Sequence, residues 1–214
     1  MTDAVPDLPV DTPAAVRSRI LAQARVHLFN HGYTGFTMDA LAAELGMSKK
    51  TLYVHFRSKD AIIRTAISAF GAGVRAEADT ILAQPRLTFC EKLRGFAETM
   101  MERLEALRPA IVRDVQRAAP HLYKHMLQVR SENLSHAFGR FIEEGQLAGA
   151  VRDDISPVFA GEFYVHAIQG MMSADTMQRL RLTPAETFDR ALRVFFGGLL
   201  TPTGQKEYEK TFPR

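Results

Sequence analysis

An all-α protein in two parts is what this sequence predicts, and three observations carry the prediction. Apolar residues recur at three-and-four spacing over most of the 214 residues, the signature of helices with one buried face. Serine and threonine caps, several followed directly by proline or by glutamate three residues on, divide the chain into helix-length pieces. No segment alternates apolar and polar residues long enough to make a strand, and no internal repeat is visible. The expected count is about nine helices, three small ones before a longer connecting fourth, then a larger helical half.

Thr12-Pro13 opens the first helix as N-cap and N1. Ile20, Leu21, Ala24 and Leu28 mark its inner face, and Gly32 and Gly35 end it. Thr37 caps a second helix with Leu41, Ala42 and Leu45 inward, and Gly46 breaks it. Ser48 caps a short third helix that ends near Phe56. Ser58 caps the fourth, running through Ile62, Ile63, Ile67 and Val74 toward Leu82. Gln84-Pro85 is the expected boundary. Thr88 and Glu91 form a capping box for a helix through Phe96, Met100 and Leu104, stopped near Arg108-Pro109. A short helix over 110–117 follows. Pro120 opens a long one through Met126, Val129, Phe138 and Ile142, ended by Gly145. Ser156-Pro157 starts a helix carrying Phe159, Phe163, Val165, Ile168 and Met172. Thr183-Pro184 with Glu186 starts the last, with Phe188, Leu192, Phe195 and Leu199 on one stripe. The expected organisation is a loose acidic, Pro-rich tail over 1–12, a small domain over 13–60, a connecting helix over 58–83, a second domain over 84–202 and a tail over 203–214.

Composition narrows the class. Hydrophobic residues make up 46% and charged residues 24%, the balance of a globular protein. No apolar run approaches the ~20 residues of a membrane span, and the start of the chain lacks the basic and apolar regions of a signal peptide. Cys90 is the single cysteine, so no internal disulfide framework exists and a reducing, cytoplasmic setting is expected. The formal charge is only +3, but it is uneven. Residues 12–60 hold seven Lys/Arg against three acids, and four of those cations fall in 49–60. From residue 61 onward 20 cations nearly balance 18 acids.

The local positive spot coincides with a helix-turn-helix spacing. Ala42 is small where two helices must cross closely. Gly46, four residues on, permits a positive φ in the turn. Leu52, six further, anchors the third helix on the seam built by Leu41 and Leu45. The opposite face presents Ser48, Lys49, Lys50, Thr51 and Tyr53. These donors have the reach for base edges and phosphates, and the N-terminus of a helix favours phosphate.

The stretch FTMDALAAELGMSKKTLYVHFRSKDAII closely resembles the DNA-binding signature of TetR-type transcriptional regulators. The resemblance spans about residues 16–63 and rests on Tyr33, the Thr37 cap, the Gly46 turn, the Leu52-Tyr53 pair, Phe56 and Ser58-Lys59-Asp60. It implies that Ser48, Lys49, Lys50 and Thr51 lie near bases and that Thr37, Tyr53, His55 and Lys59 lie on phosphates. Lys50 departs from the small residue common at its place in the family. The resemblance further implies a ligand-responsive repressor, bound as a homodimer to a double-stranded palindromic operator and released by a small apolar or amphipathic inducer. The implied dimer is built largely from the last two helices, with Phe188, Leu192, Phe195, Leu199 and Phe163 as its apolar stripe. An inducer cavity would sit in the second domain. Six of the nine methionines fall there, and methionine suits irregular space. The expected lining is Phe96, Met100, Leu104, Met126, Val129, Phe163 and Met171, with His121, His125 and His166 as polar contacts and Arg130 beside them.

Other chemistry is weaker. Gly71, Gly73 and Ala76 match a dinucleotide motif formally, but no strand precedes them. His121 and His125 share a face at i, i+4, yet no cysteine or acid stands beside them at ligand spacing. Cys90 reads as a small buried hydrophobe, and Asp153-Asp154 as a solvated loop. No nucleophile–base arrangement and no phosphate loop is readable, so neither an enzyme nor a cofactor or metal is expected. Two competing classes remain: a helical small-molecule-binding protein or enzyme with a vestigial DNA-binding domain, and a structural DNA binder without sequence preference.

Overall fold

The computed structural model describes residues 12–105 and 108–212; the expected N-terminal tail otherwise lies outside them. The described residues form eleven helices: α1 (Pro13–Gly35), α2 (Met38–Glu44), α3 (Lys49–His55), α4 (Lys59–Leu82), α5 (Phe89–Glu105), α6 (Pro109–Ala118), α7 (Pro120–Leu147), α8 (Pro157–Met171), α9 (Ala174–Leu180), α10 (Pro184–Gly197) and α11 (Pro202–Thr211). The first eight and α10 are the nine expected. The two extra helices are short and polar enough that no apolar period announced them. Within the expected tail over 203–214, the described residues to 212 are ordered into the fold: α11 is capped by the Thr201 side chain, and Tyr208 and Phe212 are buried with their rings stacked at 4.3 Å. Among the described residues one isolated antiparallel bridge, Val151 to Leu200, is the only extended pairing.

The caps form largely as the sequence requires. Thr12, Thr37, Ser48 and Thr183 each accept a backbone N–H three residues on. The boxes at Thr88/Glu91 and Thr183/Glu186 are both reciprocal. Ser156 is the exception, making no side-chain cap bond.

The chain divides into two compact units, and not at Gln84-Pro85. The first comprises residues 1–67 and 109–125, the second 68–108 and 126–214. The chain therefore passes between them within α4, ahead of α6 and within α7. The first unit has a small core of Ile20, Ala24, Phe36, Leu41, Leu52, Phe56, Ile62 and Ile63, completed by Val115, Ala119 and Leu122. Those last three come from α6, the single-residue link after it and the start of α7, some fifty residues beyond the stretch that resembles a DNA-binding domain. Asp114 explains part of the recruitment. It accepts from the Thr34 amide at 2.9 Å and the Thr34 hydroxyl at 2.6 Å, just after Gly32 breaks α1 at φ 67°.

The second unit is dominated by aromatic packing. Phe138 stacks on Tyr164 at 3.8 Å and meets Phe96, Phe195 and Phe196 at 6.0–6.2 Å. Cys90 lies in this core at 0% exposure, and burial pushes its thiol up to about 12. Gly71 and Gly204 mark two close approaches. A Cβ on Gly71 would strike Val129 and Asn133, and one on Gly204 would strike the Ala150 backbone.

Candidate nucleic-acid interface

The surface with the clearest chemistry is the front of α3. Leu41 and Leu52 are fully buried and Ala42 nearly so, which fixes α3 against α2. Gly46 turns between them at φ 63°, a conformation that costs most side chains strain. With the seam occupied, Ser48, Lys49, Lys50 and Thr51 are all exposed. Tyr53 is 43% exposed and Val54 76%. The Ser48 and Thr51 hydroxyls lie 2.7 Å apart, so the cap also orders the side chains at the front. Lys49 reaches back to Asp39 at 2.6 Å; that carboxylate raises the lysine's pKa and keeps it cationic. Thr37 is exposed at the start of α2, and its hydroxyl caps that helix.

Two residues were not singled out by sequence: Arg17, which holds α3 from behind, and Val54, which is exposed on it. Arg17 lies over the Phe56 ring at 4.1 Å and donates to the His55 carbonyl at 2.5 Å. It ties α1 to the last turn of α3 through a cation–π contact and a charge-assisted bond. Val54 presents a methyl pair beside the lysines, where a polar pattern search does not look.

Lys59, an expected phosphate contact, is bonded within its own chain. Its ammonium donates to the Tyr33 and Phe36 carbonyls at 3.2 and 3.4 Å and lies 4.0 Å from the Tyr33 ring centroid. It fastens the start of α4 to the α1–α2 link. Asp60 beside it accepts from the Tyr33 hydroxyl at 2.9 Å and pairs with His121 at 2.7 Å. Burial, with Asp60 second, raises the Tyr33 pKa. His121 is thus a strut within the first unit rather than a polar contact in a cavity.

The other expected ligand residues do not form one constellation. His121 and His125 belong to the first unit and the remainder to the second. Within the second unit, Phe96 (0% exposed) and Met100 (7%) face the core, whereas Phe163 (59%) faces outward, as does His166. Tyr164 is more informative. It is 1% exposed, and its hydroxyl finds no hydrogen-bond partner among the described residues.

The expected dimer stripe is also corrected. Phe188, Leu192, Phe195 and Leu199 are 0–9% exposed and belong to the core of their own chain. Helical spacing showed that this face is buried but not by what. The outward apolar surface lies on α8 and on the opposite side of α10: Val158 (73%), Phe159 (65%), Phe163 (59%) and Val194 (79%). Phe159 and Phe163 stack at 6.4 Å, and Phe163 stacks on Phe195 at 6.5 Å. Ala167, Gly170 and Gly197 extend this face with small exposed residues.

A buried two-helix seam, a glycine turn and a cationic, hydroxyl-rich helix front together define a helix-turn-helix DNA-binding regulator. Residues 20–66 match the family described as "Bacterial regulatory proteins, tetR family". Relatives extend along almost the whole chain. The "HTH-type transcriptional repressor DhaR" of Mycobacterium sp. (strain GP1) is 23% identical, covering 88% of this chain and 94% of that protein. UidR, an HTH-type transcriptional regulator of Escherichia coli (strain K12), is 25% identical over 86% and 93%. Among solved structures, SmeT, the repressor of the Stenotrophomonas maltophilia multidrug efflux pump SmeDEF, superposes with a TM-score of 0.65 at 17% identity, covering 89% of this chain and 93% of that one. No described helix is long and apolar enough to cross a membrane.

Proposed function

We propose that the protein is a homodimeric, ligand-responsive transcriptional repressor that leaves a palindromic operator when a small apolar or amphipathic molecule binds. The observation that carries this reading is the exposed front of α3 on its buried seam. Ser48, Lys49, Lys50 and Thr51 read base edges, Val54 meets a thymine methyl, and Tyr53, His55 and Thr37 take phosphates. Lys59 acts one step back, by setting the α1–α2 link and the start of α4. One seven-residue recognition helix reads few base pairs, so two related by a two-fold axis are needed. The exposed faces of α8 and α10 around Phe159, Phe163 and Val194 are the surface that supports that pairing. Scattered exposed apolar residues are ordinary, but contiguous stacked aromatics beside small residues are not.

The inducer is assigned to the second unit, near Tyr164. An unpaired buried hydroxyl costs roughly 1–3 kcal/mol, and a ligand acceptor there would recover that. The ligand must favour the non-DNA state, and DNA must weaken ligand binding by the same factor. The repressor named SmeT has also been solved as a complex with triclosan, which is consistent with an apolar aromatic inducer class for this chain.

Binding to DNA upstream of the protein's own gene, measured over a salt series, tests the reading. A dimer neutralising roughly 6–8 phosphates gives a slope of log K against log salt of about −5 to −7. A slope near −2, or equal affinity for bulk DNA, would replace the operator model with a non-specific binder. No DNA binding, with retained small-molecule binding, would favour the vestigial-domain alternative.

A further inference from the structure

The first unit also holds a donor cluster outside the proposed DNA contacts. His27 and His31 are one turn apart on α1 and therefore share a face. Glu44 ends α2 opposite them. One donor atom from each lies within 4.8 Å of the other two. The His27 and His31 ring centroids are 4.5 Å apart, and His27 Nδ1 is 2.7 Å from Glu44 Oε1.

Two of the three donors are already fixed. His27 is 2% exposed, and its ring meets the Phe36 ring nearly edge-on at 4.9 Å and 85°. Glu44 keeps its second oxygen on the Gln23 amide at 2.9 Å. Outer partners of this kind orient metal ligands. His31 is exposed and can close the set by a side-chain rotation. Ligands around a zinc-class ion stand at ~2.0–2.2 Å from it, so donors within 4.8 Å of one another can close on one ion once the 2.7 Å His27–Glu44 contact opens. His27 Nε2, the ring nitrogen that does not meet Glu44, is buried without a partner among the described residues.

We propose that His27, His31 and Glu44 form a binding site for a zinc-class divalent transition metal that fastens α2 to α1. Two imidazoles and one carboxylate suit Zn²⁺, Co²⁺, Ni²⁺ or Cu²⁺ and not Mg²⁺ or Ca²⁺, which prefer oxygen alone. Three protein donors leave at least one position for water. A metal on His27 Nδ1 takes the place of the proton shared with Glu44 Oε1, and the ring stays neutral by carrying its proton on Nε2 instead. The fastening point sits two residues before Gly46, so the ion steadies the helix from which the recognition turn departs.

Co²⁺ added to the full-length, untagged protein is the probe. The expected result is one Co²⁺ per chain with visible ligand-field absorption, and an upward shift of the melting temperature with Zn²⁺. His31→Ala and Glu44→Gln, both at exposed positions, should each weaken Co²⁺ binding by at least about tenfold and abolish the Zn²⁺ shift while leaving helical content intact. His121→Ala with His125→Ala, which removes the other i, i+4 pair in this unit, should change neither. Absence of Co²⁺ absorption at stoichiometric concentrations overturns the proposal. So does binding that survives both ligand variants or disappears only in the His121/His125 variant.

Discussion

The two units of this chain bury their apolar residues in the same way but expose very different surfaces. The first covers a small core and presents cations and hydroxyls on a helix whose other side is fully buried. The second covers a large aromatic core and still leaves phenylalanines exposed on α8. Polar groups at a surface state their chemistry directly. Exposed apolar groups state only that something covers them, and apolar periodicity does not distinguish cover by the same chain from cover by a second one.

The largest expected effect tests that distinction. Leu192 is fully buried in its own chain, so Leu192→Asp places a charge in an aromatic core without a partner. It should cost at least about 4 kcal/mol and be seen as loss of the cooperative thermal transition. Folded monomers from this variant would instead return α10's inner stripe to the dimer interface.

Phe163→Asp with Val194→Asp is the complementary variant. Both side chains are exposed, so the fold should survive and the dimer should not. Operator affinity should fall with loss of the tethered second half-site, an avidity factor that can reach about 10²–10⁴. Sedimentation and DNA titration on one sample check it. A dimer that binds normally would remove the α8–α10 face from the assembly.

The contrast also explains what the sequence could tell. Nine helices, their caps and the α2–α3 turn were legible because each is written in a few adjacent residues: Thr37, Gly46 and Ser48 sit where local backbone geometry needs them. The bonds of Lys59 to the backbone carbonyls of Tyr33 and Phe36 were not legible, because no side-chain pattern records a backbone partner. The recruitment of α6 was invisible because Thr34 and Asp114 are 80 residues apart. The His27–His31–Glu44 cluster was half visible: the i, i+4 histidine pair is in the sequence, but its carboxylate comes from another helix. His121 and His125 have the identical spacing, so spacing alone does not distinguish the two pairs.

The lysines of the first unit separate position from readout at a smaller scale. Lys59→Ala removes a cation bonded to two carbonyls and should lower stability by about 1–3 kcal/mol, with DNA affinity falling for all sequences alike. Lys50→Ala, at an exposed residue on the α3 front, should leave stability within about 0.5 kcal/mol and alter preference at one or two operator positions. An unchanged operator profile in Lys50→Ala would exclude it from base readout.

The smallest effect concerns acid. Asp114 is held below its ordinary pKa, first by the Thr34 hydroxyl, then by the Thr34 amide. A carboxyl whose folded-state pKa is depressed binds fewer protons folded than unfolded. Its contribution is therefore fully present above the unfolded value, about 3.9, and is lost as pH falls through the folded one. The melting temperature of the wild type should accordingly carry an acid-sensitive component below about pH 4 that Asp114→Asn lacks. The variant should be less stable at neutral pH, and the two curves should converge on acidification. Helical signal alone mixes both units, so the measurement needs a reporter in the first, such as amide exchange at Thr34. Curves that stay parallel through the acid range would mean that the Thr34–Asp114 bonds do not hold α6 in the DNA-binding unit, and that Val115, Ala119 and Leu122 do so by burial alone.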